Sequence, residues 1–412
     1  MMKAGDEILF LAHRVPFPPN RGDKIRAHHL LKALAAIAPV HVGCLSESDE
    51  DRAGLADLAQ IAASHCAPAR PKPLVLAGIE AVAQGKPVSL TAFHSRRLES
   101  WVREIIAKRP IGAIVVFSGQ MGQYVPAHFP GRVIIDLCDV DSAKFAQYAA
   151  NGERVWLNAR EARLLAREEE RLGARADATI LISEAEAALY RQGLQDPARV
   201  NVQVIGNGID ARLFDPAKVK PHPAMASLAG PHFTFTGQMD YRPNEQAAIW
   251  AIEHLLPALR AHWASAEIHI VGRNPTPALL ALKGRAGANI WGEVPDVRPF
   301  IAASDCVIAP LMIARGVQNK VLEAMAMARP VLLTPEAATG IAARDGADWL
   351  IERADPAAMA ARAAALLGDP QKTAAMGAAA RAFVLESHAW PAMLAPLGAM
   401  LNTALQGARH AA

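Results

Sequence analysis

The chain alternates short aliphatic runs with longer stretches of helical periodicity, and it does so twice over. In the first half the apolar runs are EILFLAH (7–13), VHVGCL (40–45), GAIVVF (112–117), RVIIDL (132–137), ATILIS (178–183) and VQVIGNG (202–208). Helical patterns lie between them over 23–38, 95–108, 158–172 and 184–191. Runs without polar alternation belong to strands covered on both faces, and a helix between consecutive strands is the connection that parallel pairing needs. The pattern restarts with FTFTG (233–237), EIHIVG (267–272), NIWG (289–292), CVIAP (306–310) and PVLLTP (330–335), with helices expected over 245–262 and 318–328. The sequence therefore predicts an α/β protein with two doubly wound, Rossmann-like domains, spanning 1–215 and 216–388. The Pro-rich stretch 215–223 is the expected joint. Helices over 356–367, 370–386 and 391–405 close the chain. Two such domains facing each other would place a cleft at the carboxyl ends of both sheets, where open α/β sheets bind ligands.

Composition narrows the function. With 412 residues, 52% hydrophobic and 20% charged, the chain is long enough for two cores and too apolar for extended disorder. A net charge of only +3 excludes a dedicated nucleic-acid binder. Cys44, Cys66, Cys138 and Cys306 form neither a Cys-x-x-Cys pair nor a zinc-spaced cluster, which reads as buried thiols in a reducing compartment. No apolar run approaches bilayer length. A soluble, cytoplasmic protein is expected. Peripheral attachment to the inner face of the plasma membrane stays open, because 95–109 is a basic amphipathic helix with Leu98, Trp101, Val102, Ile105 and Ile106 on one stripe. A crossover helix packed on a sheet carries the same stripe, and that reading comes first.

The most informative stretch is SDCVIAPLMIARGVQNKVLEAMAMARPVLLTP (304–335). A strand feeds a loop ending at Arg315-Gly316, and a helix starts near Val317. Unpaired amides and the helix dipole make that start an anion site, and Gly316 permits close approach. Lys320 adds a full charge for a phosphate. Glu323 lies three residues on, about 5 Å along the same face, and a carboxylate there accepts from vicinal hydroxyls such as those of ribose. The same two residues also make an ordinary solvated ion pair, so the pair alone decides nothing.

Their surroundings add weight. Gly316 to Ala326, followed by Arg329-Pro330-Val331, resembles the donor-site signature of retaining glycosyltransferases of family 4. The segments 235–244, 270–272, 292–296 and 204–210 are similar to other blocks of that family, in order and spacing, so the resemblance covers nearly the whole chain. Arg21-Gly22-Asp23, Asp139-Val140-Asp141-Ser142 and Pro243-Asn244 resemble most closely the sugar transferases associated with exosortase and exopolysaccharide systems. The resemblance implies a GT-B fold, with an acceptor-binding first domain joined by a last helix at about 389–405 and a nucleotide-sugar-binding second domain. It implies transfer with retention of configuration, with no metal and no cofactor beyond the nucleotide-sugar co-substrate. Glu323 matches the ribose-binding glutamate, Gly292 and Val294 the backbone lining the nucleobase, and Gly237 the approach beside the diphosphate, with Gly316 and Val317 at the helix start. Two departures stand out. Arg315 occupies the place of an earlier glutamate, and the 237–244 loop carries Gln238, Arg242 and Asn244 where many members have an Arg and a Lys. Arg315 and Lys320 are expected to supply the missing positive charge to the leaving diphosphate.

In the first domain, Arg21 and Gly22 follow the first strand, while Ser118 and Asp139 end later ones; all four are candidate acceptor contacts. Asp141 is expected to cap the next helix or to join them. His13 is a weaker candidate base. The acceptor implied by the resemblance is a saccharide or lipid-linked saccharide of an extracellular polysaccharide. Two other readings stay open: a nucleotide-sugar epimerase on the same fold, and a nucleotide-sugar-binding subunit without turnover.

Overall fold

The computed structural model describes residues 2–70, 73–314 and 316–402. The chain divides into two compact units: one from its start to Asn207 together with the segment after Ala392, the other Gly208–Ala392.

The first unit is built on strands β1 (Glu7–Ala12), β2 (Val40–Gly43), β3 (Ser64–Cys66), β4 (Ile111–Phe117), β5 (Arg132–Cys138), β6 (Ala178–Leu181) and β7 (Val202–Val204). They lie in the order β3-β2-β1-β4-β5-β6-β7, every neighbouring pair parallel. All of β1 is buried, as its unbroken apolar run requires. Helix Arg96–Lys108 buries Leu98 and Val102 and packs Trp101, Ile105 and Ile106 against the core. Its apolar stripe is thus a crossover face. Short helices Asp49–Ala53, Leu55–Ile61, Leu74–Gln84 and Val88–Ala92 fill a region where no element was expected. The anticipated last helix is two pieces, Trp390–Leu394 and Pro396–Asn402, interrupted at Ala395-Pro396; the second packs on β5 through buried Leu397 and Leu401.

In the second unit β8 (His232–Thr236), β9 (Glu267–Val271), β10 (Ala288–Gly292), β11 (Cys306–Ala309), β12 (Val331–Leu333) and β13 (Leu350–Ile351) form a parallel sheet in the order β10-β9-β8-β11-β12-β13. The single helix expected over 245–262 is two helices, Arg242–Trp250 and Leu256–His262, joined by a wide π turn at Ala251–Leu255. Pro257 lacks the amide that would continue an α-helical ladder, which accounts for the break.

The division at Asn207/Gly208 puts the Pro-rich stretch inside the second unit, so the second unit starts ahead of the expected 216 and runs past the expected 388. That stretch is anchored there. Arg381 donates to the Phe214 carbonyl at 2.9 Å and pairs with Asp215 at 3.5 Å. The amide of His222 donates to the Pro299 carbonyl at 2.9 Å, and its ring stacks on Phe300 at 4.1 Å.

Candidate functional site

The carboxyl ends of β8, β9 and β10 bring three glycines side by side. The Gly237 amide donates to Val271 O at 3.1 Å, and the Gly272 amide to Gly292 O at 2.8 Å. A Cβ at Gly272 would fall 1.6 Å from Gly237 O, so only glycine lets these turns approach. A Cβ at Gly237 would stand 2.9 Å from Asn244 Nδ2 and 3.1 Å from Lys320 Nζ, which puts the loop after β8 directly against Lys320.

Lys320 is the second residue of helix Asn319–Ala326. The helix buries Val321, Leu322, Ala324, Met325 and Ala326, and that apolar face fixes which way its polar face looks. No side chain caps its start; the Val321 and Leu322 amides donate to Gln318 O, which leaves those of Asn319 and Lys320 for a ligand. The Lys320 ammonium donates to Asn244 Oδ1 and lies 4.5 Å from the centre of the Phe235 ring. Asn244 in turn donates to Gln238 O at 2.9 Å. Burial pushes the Lys320 ammonium down to about 8, against the opposing pull of Glu323. Burial likewise raises the Glu323 carboxyl, with Lys320 acting against it. No ion pair joins the two, and the Glu323 carboxylate accepts no hydrogen bond from a described residue. The ordinary solvated pair is therefore not what this helix presents.

Gln238 and Arg242 lie in the loop and the helix start that follow Gly237. Gln238 Oε1 accepts from Arg273 Nη2 at 2.7 Å, so its side chain is held by a cation absent from the sequence reading. Arg242 opens helix Arg242–Trp250 and is exposed. Gly316, at φ 67, takes the left-handed conformation that favours glycine, with open space where a side chain would project. Val317 is exposed near Gly340, and Arg315 lies outside the described residues. Val294 packs against Met225, Val271 and Phe300, which leaves its backbone as the part open to recognition. Beside it, Trp291 Nε1 donates to His269 Nδ1 at 3.2 Å, and His269 Nε2 meets His232 Nδ1 at 3.1 Å. Burial lowers His269 to about 3, so its imidazole is neutral at ordinary pH.

The candidates of the first unit form two groups. After β1, Arg14 holds Asp23 at 2.7 Å and Glu47 at 2.7 Å, Arg70 holds Glu47 at 3.0 Å, and exposed Arg21 reaches Asp23 at 2.8 Å ahead of Gly22, the first residue of helix Gly22–Ala35. Hydrogen bonds from His13 and Arg14 hold the Asp23 carboxyl well below the usual range despite its burial. His13 meets Asp23 through Nε2 at 3.2 Å, while its buried Nδ1 has no hydrogen-bond partner among the described residues. At the ends of β4 and β5, Ser118 donates to Gln120, whose amide reaches Asp141 at 3.4 Å. Asp139 is exposed at the surface, its carboxyl nonetheless raised by partial desolvation and then by Glu186 and Asp141. Asp141 is not a helix cap. The amides around that helix start are taken by Glu186, at 2.8 Å from Val140 N, and Glu169, at 3.0 Å from Ser142 N, which frees Asp141 for Gln120 and Lys144. Ser118 and Cys138 both hold positive φ, at 77 and 65, a strained backbone common at functional sites. Among the described residues, no cluster of three His, Cys, Asp or Glu side chains could hold a metal ion.

Residues 230–369 match the family model described as glycosyl transferases group 1. The matched segment holds Gly237, Gly272, Gly292, Lys320 and Glu323. Over its whole length the chain resembles solved glycosyltransferases of the GT-B type. HepE from Anabaena, solved with UDP and glucose, aligns with a TM-score of 0.56 at 14% identity, covering 96% of this chain and 99% of that one. A glycosyltransferase from Rickettsia africae gives 0.60 at 15% identity, covering 98% and 100%. Sucrose-phosphate synthase from Thermosynechococcus elongatus gives 0.55 at 16%, covering 96% and 98%. Comparison with curated proteins gives no match. The fold is accordingly α/β of the GT-B class, with two Rossmann-like halves.

Proposed function

We propose that the protein is a retaining glycosyltransferase that moves a sugar from a nucleotide donor to a saccharide acceptor. The observation that carries this reading is the start of helix Asn319–Ala326, where the Lys320 ammonium lies beside Gly237 next to uncapped amides, and one turn on a Glu323 carboxylate accepts no hydrogen bond from a described residue. The amides and Lys320 take the diphosphate; Glu323 accepts from the ribose hydroxyls; the backbone at Gly292 and Val294 meets the base. Gly237, Gln238, Arg242, Gly316 and Val317 line the same loops. Arg315 adds charge to the leaving group in place of the family's first glutamate. Because HepE was solved with UDP and with UDP-glucose, UDP-sugars are the first donors to test.

In the reaction, the bond from the anomeric carbon to the diphosphate oxygen breaks and a bond to the acceptor oxygen forms on the same face. The acceptor proton leaves with the diphosphate. Lys320 stabilises the charge that develops on the departing oxygen, in a half-buried site where that charge is costly to leave unpaired. Retention rests on the likeness of 316–331 to the family-4 signature. Arg21, Gly22, Ser118 and Asp139 are assigned to the acceptor, with Gln120 and Asp141 beside them. A lipid-linked saccharide of exopolysaccharide synthesis is the acceptor class, on the likeness of 21–23, 139–142 and 243–244. Four free cysteines and no helix long and apolar enough to span a membrane among the described residues are compatible with work in the cytoplasm.

The test is turnover of a UDP-sugar panel with a cellular lipid extract, reading acceptor-dependent UDP release and the anomeric configuration of the product. Lys320→Ala and Glu323→Ala should each lose turnover. Unchanged turnover in both would sink the assignment.

A further inference from the structure

Helix Leu74–Gln84 of the first unit is packed inside out. Its buried positions are Ala77 and Ala81, one turn apart, while its large aliphatic side chains face solvent: Val75 at 75% exposure, Leu76 at 57%, Ile79 at 65% and Val82 at 49%. An amphipathic helix in water does the reverse, and contiguous exposed apolar patches mark a surface that meets something. The patch continues on helix Val155–Arg175. Arg160 donates to Ala81 O at 2.9 Å and to Lys86 O at 3.1 Å, which ties the two helices together. Trp156, one turn before Arg160, is 68% exposed.

Beside this apolar face lies a cavity of about 520 Å³, lined among others by Lys86, His94, Arg96, Arg97 and Glu80. Lys86, Arg96 and Arg97 are exposed and form no ion pair with a described residue. The acids nearby are Glu80, which accepts from Gln84, and Glu99, which is engaged with Arg103 and His94. An apolar face flanked by unpaired cations, with a Trp at its edge, has the chemistry of an interfacial membrane element.

We propose that this face docks on a bilayer carrying anionic phospholipid: Val75, Leu76, Ile79 and Val82 enter the acyl boundary and the Lys86-Arg96-Arg97 cavity takes a lipid phosphate. The other ready occupant, a second copy of the chain, fits less well. An isologous contact would set the same unpaired cations against themselves. No described helix is long and apolar enough to span, so the contact is peripheral. The apolar stripe of helix Arg96–Lys108 packs inward and takes no part; only the first two residues of that helix, Arg96 and Arg97, face the proposed contact. The inference stands apart from the donor reading, which concerns the other unit.

The test is flotation of the full chain with vesicles of phosphatidylcholine alone and with roughly one lipid in three replaced by phosphatidylglycerol. The protein should float with the anionic vesicles and release as salt rises. Leu76→Asp with Ile79→Asp should weaken binding at least about tenfold, and Lys86→Glu with Arg97→Glu should abolish the preference for anionic lipid. These positions are exposed, so melting temperature and UDP binding should not move; Ile79→Gln alone serves if the double change misfolds. Failure of the unaltered protein to float, or equal flotation of every variant, would overturn the proposal. So would a dimer in sedimentation that Ile79→Gln converts to monomer, since the face would then belong to a second copy.

Discussion

The charged groups at the strand ends of the two units are treated in opposite ways. In the first unit they are closed on one another. Buried Arg26 bonds to buried Asp136 at 2.8 Å and to the carbonyls of Ile205 and Gly206, Lys24 is locked on Asp51 at 2.6 Å, and Arg14 is shared between Asp23 and Glu47. In the second unit, Lys320 and Glu323 are held half-buried with little among the described residues to satisfy them: one amide oxygen and an aromatic face for the first, no hydrogen bond for the second. A closed network holds the fold together. An open one costs stability in the empty protein and is repaid when a ligand of complementary charge arrives.

The largest effect should come from breaking a closed network. Arg26→Ala leaves buried Asp136 without its cation, and chemical denaturation should show a loss of about 3–5 kcal/mol. Glu323→Ala should do the opposite: no loss of stability, but roughly 10- to 150-fold weaker nucleotide binding by calorimetry, the loss expected for hydrogen bonds to a charged group, about 1.5–3 kcal/mol. Equal destabilisation by the two changes would erase the contrast.

The contrast was only half visible in the sequence. Lys320 and Glu323 could be paired at sight because their spacing is local and helical. Arg26 looked like any helical cation, since its partner Asp136 is 110 residues away. Asp141 was open to reading as a cap because Asp before a helix usually caps. The glutamates that do that work come from 27 and 46 residues along the chain, a distance at which sequence spacing carries no signal. The long strands were legible from their unbroken apolar runs, whereas β3, with Ser64 and His65, and the two-residue β13 have too little pattern to announce a strand. The helices over 49–92 escaped for a related reason: Leu74–Gln84 turns its apolar side outward, so its periodicity points the wrong way. Arg273 could have been suspected as a cation directly after a strand-end glycine.

Two smaller effects sharpen the comparison. The Lys320 ammonium is depressed to about 8 by burial, so it is charged below that pH and loses its charge above it. Nucleotide affinity should be flat at lower pH and weaken by up to about tenfold per unit as pH rises past 8. Lys320→Ala should remove that slope. Arg273→Ala frees Gln238 at an exposed site, and the expected cost is about two- to fivefold in affinity, measured the same way.

The central claim is that Glu323 reads the pentose of the donor, and a paired titration tests it most directly. UDP and its 2′,3′-dideoxy analogue are titrated into the unaltered protein and into Glu323→Ala. The unaltered protein should prefer UDP by roughly tenfold or more, and the variant should bind both alike. Equal binding of the two ligands by the unaltered protein, or a preference that survives in the variant, would contradict the account.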